Sequence, residues 1–201
     1  MHRLLIATRN RHKTGELAAL LGAAFQVEDL TAHPDMPEIE ETGTTFLENA
    51  TLKAQAASRF FGGEVLVMAD DSGLEVDALG GAPGVRSARF AGEGATDRKN
   101  LELLLTRLSA VVPGMDRTAR FRCVIALARN GEYAASFEGV CEGRIIDKPR
   151  GREGFGYDPV FVPQGETQTF AELHAEVKNR LSHRGKAIQQ ALAWLCALEP
   201  L

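Results

Sequence analysis

The stretch Val67-Met68-Ala69-Asp70-Asp71-Ser72-Gly73 decides the fold, because an apolar run ends here in two adjacent carboxylates and a glycine. Residues 64–69 are short, apolar and rich in β-branched side chains, which predicts a buried strand. Ligands of open α/β sheets bind beyond the carboxyl ends of strands, so we expect Asp70 and Asp71 just past this one. Neighbouring carboxylates repel unless a divalent cation with oxygen ligands neutralises them. A solvated Asp-Asp turn is the alternative.

The chain before this stretch opens with a strand, a loop and a helix. Strands are predicted over 3–8 and 25–30. Between them, Leu17, Leu20 and Leu21 recur at helical spacing and indicate a helix. This order is typical of an α/β domain.

Two loops and one capped helix surround the predicted strand. Residues 33–43 contain two prolines and four acids and predict a surface loop. Thr45 and Glu48 match a capping box that begins a helix running toward Arg59. Residues 80–94 contain five glycines and a proline, which argues against regular structure and for a loop approached closely by another group.

The second half of the chain adds an antiparallel ribbon between helices. Residues 97–108 predict a helix whose leucine stripe is interpreted as core. Asn130-Gly131 separates two strand patterns, over 120–128 and 132–146, and predicts a type I′ hairpin. An amphipathic helix over 186–198 closes the chain. These elements predict an α/β fold with a mixed sheet and flanking helices.

Composition indicates an ordinary globular protein. The chain has 201 residues, which suits one domain (1–201) or two closely joined lobes, and 44% of them are apolar. The net charge of −4 argues against extended binding to nucleic acid or anionic membranes. There is no signal-peptide pattern and no apolar run of about 20 residues, so we expect a cytoplasmic protein without a membrane span. The three cysteines suggest buried thiols rather than disulfides or a zinc site: Cys123, Cys141 and Cys196.

A basic loop lies between the first strand and the first helix. It consists of Thr8, Arg9, Asn10, Arg11, His12 and Lys13. Unpaired backbone N–H groups and the helix dipole favour an anion at such a position. The spacing is not that of a Walker A loop, so a solvated basic helix cap is the alternative.

Two further carboxylates, Glu40 and Glu41, precede the capped helix. Taken alone, two adjacent glutamates usually lie on the protein surface. If the fold brings one of them beside Asp70 and Asp71, the group resembles a magnesium site, in which a few carboxylates, water and substrate phosphates complete the shell.

Two clusters remain in the last third of the chain. The segment Gly154-Phe155-Gly156-Tyr157-Asp158-Pro159 could present a ring for base stacking and an acid for a base edge, or form a tight turn with packed aromatics. Residues 178–186, which include Lys178, His183 and Arg184, could bind phosphates and a ring oxygen or nitrogen, or form a solvated helix junction.

Together these segments resemble the inosine/xanthosine triphosphate pyrophosphatase family over nearly the whole chain. The resemblance rests on motifs in the same order: Ala7-Thr8-Arg9-Asn10 with Lys13 and Glu16, Glu41-Thr42-Gly43-Thr44-Thr45-Phe46 with Glu48-Asn49-Ala50, Ala69-Asp70-Asp71-Ser72-Gly73-Leu74, Leu79-Gly80-Gly81-Ala82-Pro83-Gly84-Val85, Ser87-Ala88-Arg89, Gly154-Phe155-Gly156-Tyr157-Asp158-Pro159, and Ser182-His183-Arg184-Gly185.

The resemblance implies a long mixed sheet with flanking helices that form two lobes around a central nucleotide-binding cleft, assembled as a homodimer. It implies hydrolysis of non-standard purine nucleoside triphosphates (ITP, dITP, XTP) to the monophosphate and pyrophosphate, with Mg²⁺ as cofactor. Acceptors at position 6 of these bases would meet protein donors, whereas the amino group of adenine would leave buried donors unpaired.

The resemblance also implies roles for individual residues. Asp71 is the proton acceptor and a magnesium ligand, with Glu41 and Glu40 as further ligands. The phosphates of the substrate are held by Thr8, Arg9, Asn10, Arg11, His12 and Lys13. The purine stacks on Phe155, which lies in the segment Phe155-Gly156-Tyr157, and its edge is contacted by Asp158, His183 and Arg184. Ser72 and Lys178 are further substrate contacts. Arg9 and His12 depart from the residues common in the family, which bears on phosphate affinity.

Two other functions stay open from the sequence. One is a house-cleaning pyrophosphatase for modified pyrimidines, against which the aromatic-glycine segment argues. The other is a nucleotide-binding module without catalysis. Asp70 is a candidate for orienting the site.

Overall fold

The structure, a computed structural model, describes residues 2–63, 65–110 and 117–197. Its strands and helices follow the order β1 (His2–Ile6), α1 (Arg11–Leu21), β2 (Phe25–Asp29), α2 (Phe46–Phe61), β3 (Leu66–Val76), α3 (Asp97–Ser109), β4 (Thr118–Arg129), β5 (Glu132–Ile145), β6 (Phe161–Pro163), α4 (Ala175–Leu181) and α5 (His183–Ala197). Within the described residues, four short 3₁₀ helices lie at Leu30–Ala32, Asp77–Leu79, Gly84–Arg89 and Asp158–Val160. The predicted strand start at Glu64 and the predicted helix end at Leu198 lie outside the described residues.

The six strands of the described part of the chain form one sheet in the order β2-β1-β3-β4-β5-β6. β1 is parallel to both β2 and β3, with Leu4 opposite Val27 and Ile6 opposite Met68. β6 is antiparallel to β5. The predicted mixed sheet with flanking helices is therefore confirmed.

The chain divides into two compact units. Unit 1 comprises Met1–Asp71, Cys123–Gly139 and Arg184–Leu201, and unit 2 comprises Ser72–Arg122 and Val140–His183. β3, β4 and β5 each contribute residues to both units. The nucleotide-binding cleft stays a prediction.

Each unit has its own apolar core. In unit 1, buried side chains of β1, α1, β3, β4 and α5 pack together, among them Ile6, Leu17 and Met68. In unit 2, the leucine stripe of α3 packs against β3, β4 and the aromatic residues Phe161 and Phe170. Interpreting that stripe as core is confirmed, since Leu104 and Leu108 are buried.

Local sequence signals account for several boundaries. Asn10 caps α1, and Thr45 with Glu48 forms the predicted capping box of α2. Asn130 and Gly131 both have positive φ, at 53° and 78°, as a type I′ turn requires. Where residues are described, no helix has both the length and the apolar character to cross a membrane.

The predicted end of the central strand is wrong. β3 does not stop before Asp70 but continues through Asp71, Ser72 and Gly73 to Val76. The turn preference of these residues is overridden by their place in a long strand that the sheet order puts between β1 and β4, although the pairing with β1 extends only from Leu66 to Met68. The aspartates therefore project from the middle of a strand rather than from a loop.

Three smaller predictions also need correction. The segment 80–94 is not wholly irregular, since Gly84–Arg89 is a 3₁₀ helix in which the Ser87 hydroxyl donates to the carbonyl of Gly84 at 2.6 Å. The last helix begins at His183, so the cluster 178–186 lies on α4 and α5. Cys196 is exposed, because it follows the buried Leu195 and turns away from the core face of α5.

Candidate active site

Asp70 and Asp71 occupy neighbouring positions of β3, so their side chains point to opposite faces of the sheet. Both are buried. The strand therefore delivers one carboxylate to each side, and the cations in direct contact differ: Lys13 and Arg184 contact Asp70, and Lys53 contacts Asp71.

Asp70 lies among three basic groups of unit 1. Its Oδ1 is 2.8 Å from Nζ of Lys13, and its Oδ2 accepts from Nη2 of Arg184 at 2.9 Å. Burial alone would raise the pKa of Asp70, but the charges of Lys13, Arg184 and Lys53 outweigh it and hold the pKa well below its ordinary value. Asp70 is therefore an anion at neutral pH and anchors Lys13 at the start of α1.

Arg184 is itself buried at the start of α5 and also donates to Glu16 of α1. This bond and the one to Asp70 join α1, β3 and α5 through one guanidinium. The thiol of Cys123 lies 3.7 Å from Oδ2 of Asp70. Burial and the charge of Asp70 raise the pKa of Cys123, so this thiol stays protonated and is no nucleophile.

Asp71 has a different environment. Its Oδ2 accepts from Nδ2 of Asn49 at 3.1 Å, and its Oδ1 is 3.4 Å from Nζ of Lys53. Burial raises the pKa of Asp71, and the lysines Lys53 and Lys13 only partly offset this rise. A raised carboxyl pKa suits a proton acceptor that must take a proton near neutral pH.

Glu41 shares the ammonium of Lys53 with Asp71. Nζ of Lys53 is 2.6 Å from Oε1 of Glu41. Burial by itself lowers the pKa of Lys53, but the charges of Asp71, Glu41 and Asp70 raise it above its ordinary value. Two carboxylates from distant parts of the sequence thus converge on one cation.

Sequence reasoning missed Asn49 and Lys53 as site residues. They lie one turn apart on α2, on the face that buries Ala50, Ala54 and Ala57. A lysine and an asparagine in line with small apolar residues on a buried helical face were the available signal, because such groups require polar partners.

Glu41 and Asp71 are the residues that could hold a magnesium ion. Mg²⁺ takes one or two carboxylates and completes its shell with water and phosphate oxygens, and these two carboxylates already face one positive charge. Among the described residues, no group of three or more His, Cys, Asp or Glu is arranged to hold a metal. Glu40 is exposed.

Of the predicted phosphate loop, Thr8, Arg9 and Asn10 lie between β1 and α1, whereas Arg11, His12 and Lys13 form the first turn of α1. Asn10 Oδ1 accepts from the backbone N–H groups of His12 and Lys13, at 3.0 and 3.3 Å. The expectation of unpaired amides is therefore wrong for these two residues, because the cap side chain binds them. Thr8 is half-buried, Arg11 is exposed, and Nη2 of Arg9 donates to the carbonyl of Met36 at 2.5 Å.

The aromatic-glycine segment belongs to unit 2 and is held by Asp158. Oδ2 of Asp158 accepts from the backbone N–H of Phe155 at 2.9 Å and from Nζ of Lys178 at 2.8 Å. That ammonium also lies 5.4 Å from the centre of the Phe155 ring, a cation–π distance. Asp158 and Lys178 are buried, whereas Phe155 is half-buried.

The remaining candidates of unit 2 differ in exposure. Tyr157 is buried and its hydroxyl donates to the carbonyl of Ser87 at 2.9 Å, so it supports the loop. The His183 ring stacks on Phe121, with ring centres 4.8 Å apart. Ser72 is half-buried on β3, directly after Asp71. The structure thus brings Phe155, Asp158 and Lys178 together in unit 2, while Arg184 faces the carboxylates of unit 1.

Comparison with known proteins gives a consistent result. Residues 4–194 match the model of the Ham1 family. The dITP/XTP pyrophosphatase of Halalkalibacterium halodurans is 50% identical over 196 residues, which is 97% of this chain and 100% of that protein. The protein of the same description from Desulforamulus reducens is 52% identical and covers 94% of each chain.

The fold comparison agrees with the sequence comparison. The structure of a HAM1 protein from Coxiella burnetii superposes with a TM-score of 0.86 at 42% identity, over 98% of this chain and 99% of that one. The family predicted from the motifs is confirmed. This chain belongs to the Ham1 family.

Proposed function

We propose that this protein hydrolyses non-standard purine nucleoside triphosphates, dITP and XTP, and also ITP, to the monophosphate and pyrophosphate. The observation that carries the proposal is the convergence of Glu41 and Asp71 on one cation in a chain about half identical to dITP/XTP pyrophosphatases. Convergent carboxylates beside lysines are suited to binding and cleaving a polyphosphate.

The proposed chemistry divides among the residues of unit 1. Asp71, whose pKa burial raises, accepts the proton of the attacking water. Lys13, with the loop from Thr8 to His12, binds phosphate oxygens as the anhydride bond between the α- and β-phosphates breaks. Lys53 offsets the charge of the two carboxylates.

Magnesium dependence is part of the proposal. Glu41 and Asp71 would hold Mg²⁺, which when bound neutralises phosphate charge and polarises the reacting phosphoryl group. Both side chains contact the Lys53 ammonium, and this supports their placement around a cation. Glu40 is a weaker candidate for a metal ligand than Glu41, because it is exposed to solvent.

The proposed base site is in unit 2. Phe155 stacks on the purine. Its ring is half-buried, and its backbone N–H is bound by Asp158, so one face of the ring can be presented to a base. Lys178, His183 and Asp158 supply the polar groups that distinguish a 6-oxo purine from adenine. We also propose a homodimer and a cytoplasmic location, which rest on the family resemblance and on composition.

The test is a pyrophosphate-release assay with and without MgCl₂. The substrates are dITP, ITP and XTP, the four ordinary nucleoside triphosphates and a modified pyrimidine triphosphate. Preferred cleavage of the first three, only with Mg²⁺ present, is the expected result. Stepwise release of orthophosphate, or preference for the pyrimidine, would contradict the proposal.

A further inference from the structure

The start of α3 contacts the aromatic-glycine loop through one side chain. Oδ2 of Asp97, the first residue of α3, accepts from the backbone N–H of Gly156 at 2.8 Å. The two residues are far apart in sequence but belong to the same compact unit. Asp97 is not needed as the helix cap, because the hydroxyl of Thr96 accepts from the N–H of Lys99.

The loop needs external support because glycine lies on both sides of Phe155. Gly154 and Gly156 have φ of +76° and +62°, in the region that side-chain-bearing residues rarely adopt. Glycine has the largest backbone freedom of any residue, so a ring between two glycines is poorly fixed by its own chain. Its orientation has to come from contacts with other elements.

Two carboxylates supply those contacts on consecutive amides. Asp158 accepts from the N–H of Phe155, and Asp97 accepts from the N–H of Gly156. The two bonds together fix both peptide groups that carry the ring.

Asp97 is itself held in place by the helix behind it. Asn100, buried one turn later on α3, donates to the carbonyl of Ala88 at 3.0 Å and accepts from the N–H of Ala91 at 2.8 Å. The neighbouring Ser87 carbonyl accepts from the Tyr157 hydroxyl. The end of the aromatic-glycine loop and the start of α3 are therefore both hydrogen-bonded to residues 87–91.

We propose that Asp97 is a positioning residue that sets the orientation of Phe155 for purine stacking by holding the amide of Gly156. The proposal rests on the proposed function and adds a residue that does not itself touch the substrate. An oriented ring loses less conformational entropy when a base stacks on it, so the contribution of Asp97 is to substrate affinity and base preference rather than to bond cleavage.

Amide hydrogen exchange measures the contact without reference to activity. Three variants of the full chain are compared: Asp97→Ala, Asp97→Asn and Glu102→Ala. Glu102 is an exposed acid on the same helix, paired with Arg98, and serves as the control for loss of a negative charge. We expect the Gly156 amide to exchange about threefold to tenfold faster in Asp97→Ala only, because one hydrogen bond is lost.

Steady-state kinetics then connect the loop to function. In Asp97→Ala we expect KM for dITP to rise about threefold to tenfold, with a smaller change in kcat and a weaker preference for dITP over dATP. Asp97→Asn should stay close to the original protein, because its amide oxygen still accepts the Gly156 N–H. A role through charge alone would instead make Asp97→Asn behave as Asp97→Ala does.

The outcomes separate this proposal from the proposed function. Unchanged Gly156 exchange in Asp97→Ala, or faster exchange with unchanged KM and base preference, would overturn the role of Asp97. An original protein that releases no pyrophosphate from dITP or XTP would overturn the proposed function, while the exchange rates would still decide whether Asp97 holds the loop.

Discussion

The ammonium of Lys53 lies 2.6 Å from the carboxylate of Glu41, although the two residues come from a buried helix and from the surface loop before it. The same ammonium is 3.4 Å from Asp71 on β3. One lysine therefore gathers the two carboxylates that we propose as magnesium ligands. Its positive charge removes their mutual repulsion when no metal is bound.

Replacing this lysine tests that relationship. Lys53→Met should lower the free energy of unfolding by about 3 kcal/mol, because a buried ion pair loses one partner. Added MgCl₂ should restore more stability to the variant than to the original protein. Thermal unfolding with and without MgCl₂ measures both effects, with the exposed Lys99→Met as control. Equal stabilisation of all three proteins by magnesium would contradict the proposed ligands.

Asp71 should be indispensable for turnover. Asp71→Asn removes the proton acceptor and a proposed metal ligand while keeping a group that can bind Asn49, so the protein should fold normally. We expect kcat for dITP to fall by about 100-fold or more. Asp35→Asn, an exposed acid in the loop 33–43, is the matched control. Turnover of Asp71→Asn within a factor of about two of the original would remove Asp71 from the mechanism.

The stability of the fold should depend on pH through Asp70. Its pKa in the folded protein is held below the ordinary value of about 4. The unfolded chain therefore binds a proton near that pH and the folded chain does not, so the stabilisation is present above about pH 4 and is lost as the pH falls further.

Urea unfolding of Asp70→Asn checks this dependence. At neutral pH the variant should be less stable by about 3 kcal/mol, because Lys13 and Arg184 lose their shared anion. The difference from the original protein should shrink below about pH 4. A difference that stayed constant across the acidic range would show that Asp70 does not act through its charge.

Phe155 should determine affinity for the base. Phe155→Ala removes the proposed stacking surface, which is worth about 1 to 3 kcal/mol for a base on an aromatic ring. We therefore expect kcat/KM for dITP and XTP to fall by about 5-fold to 150-fold. Phe60→Ala, at an exposed phenylalanine of α2, controls for loss of an aromatic side chain. Equal losses in the two variants would argue against stacking.

Gly154 should tolerate no side chain. A Cβ there would lie 2.1 Å from Oδ2 of Asp158, in addition to the strain of φ +76°. Relief of this contact requires Asp158 to move away from Phe155 and Lys178. Gly154→Ala should therefore raise KM for dITP, whereas Gly165→Ala, which has φ +85° and open space, should change only stability. Matching KM values in these two variants would contradict the argument.

Short-range signals in the sequence were sufficient for much of the fold. The capping box at Thr45 and the Asn130-Gly131 turn each depend on neighbouring residues, and both elements form where predicted. The leucine spacing of α3 likewise predicted its buried face. Such signals work because caps, turns and amphipathic faces are decided within a few residues.

The course of β3 depended on the rest of the molecule. By local preference Asp70-Asp71-Ser72-Gly73 is a turn, yet it continues the strand that lies between β1 and β4 in the sheet. Two buried carboxylates can remain there because Lys13, Lys53 and Arg184 neutralise them. These cations come from three different helices. No short window of sequence therefore contains both the buried carboxylates and the positive charges that offset the cost of burying them.

The candidate site also divides into features that the sequence predicts and features that only tertiary packing decides. The family motifs in the sequence by themselves identified Asp71, Glu41, Lys13 and Phe155 as candidates, because the residue types and their local spacing suit phosphate, metal and base. Only the tertiary structure placed Lys53 between Glu41 and Asp71, and Asp97 on the amide of Gly156. The physical reason is that a hydrogen bond or an ion pair is decided by distances between atoms, which the chain sets only when distant elements pack together.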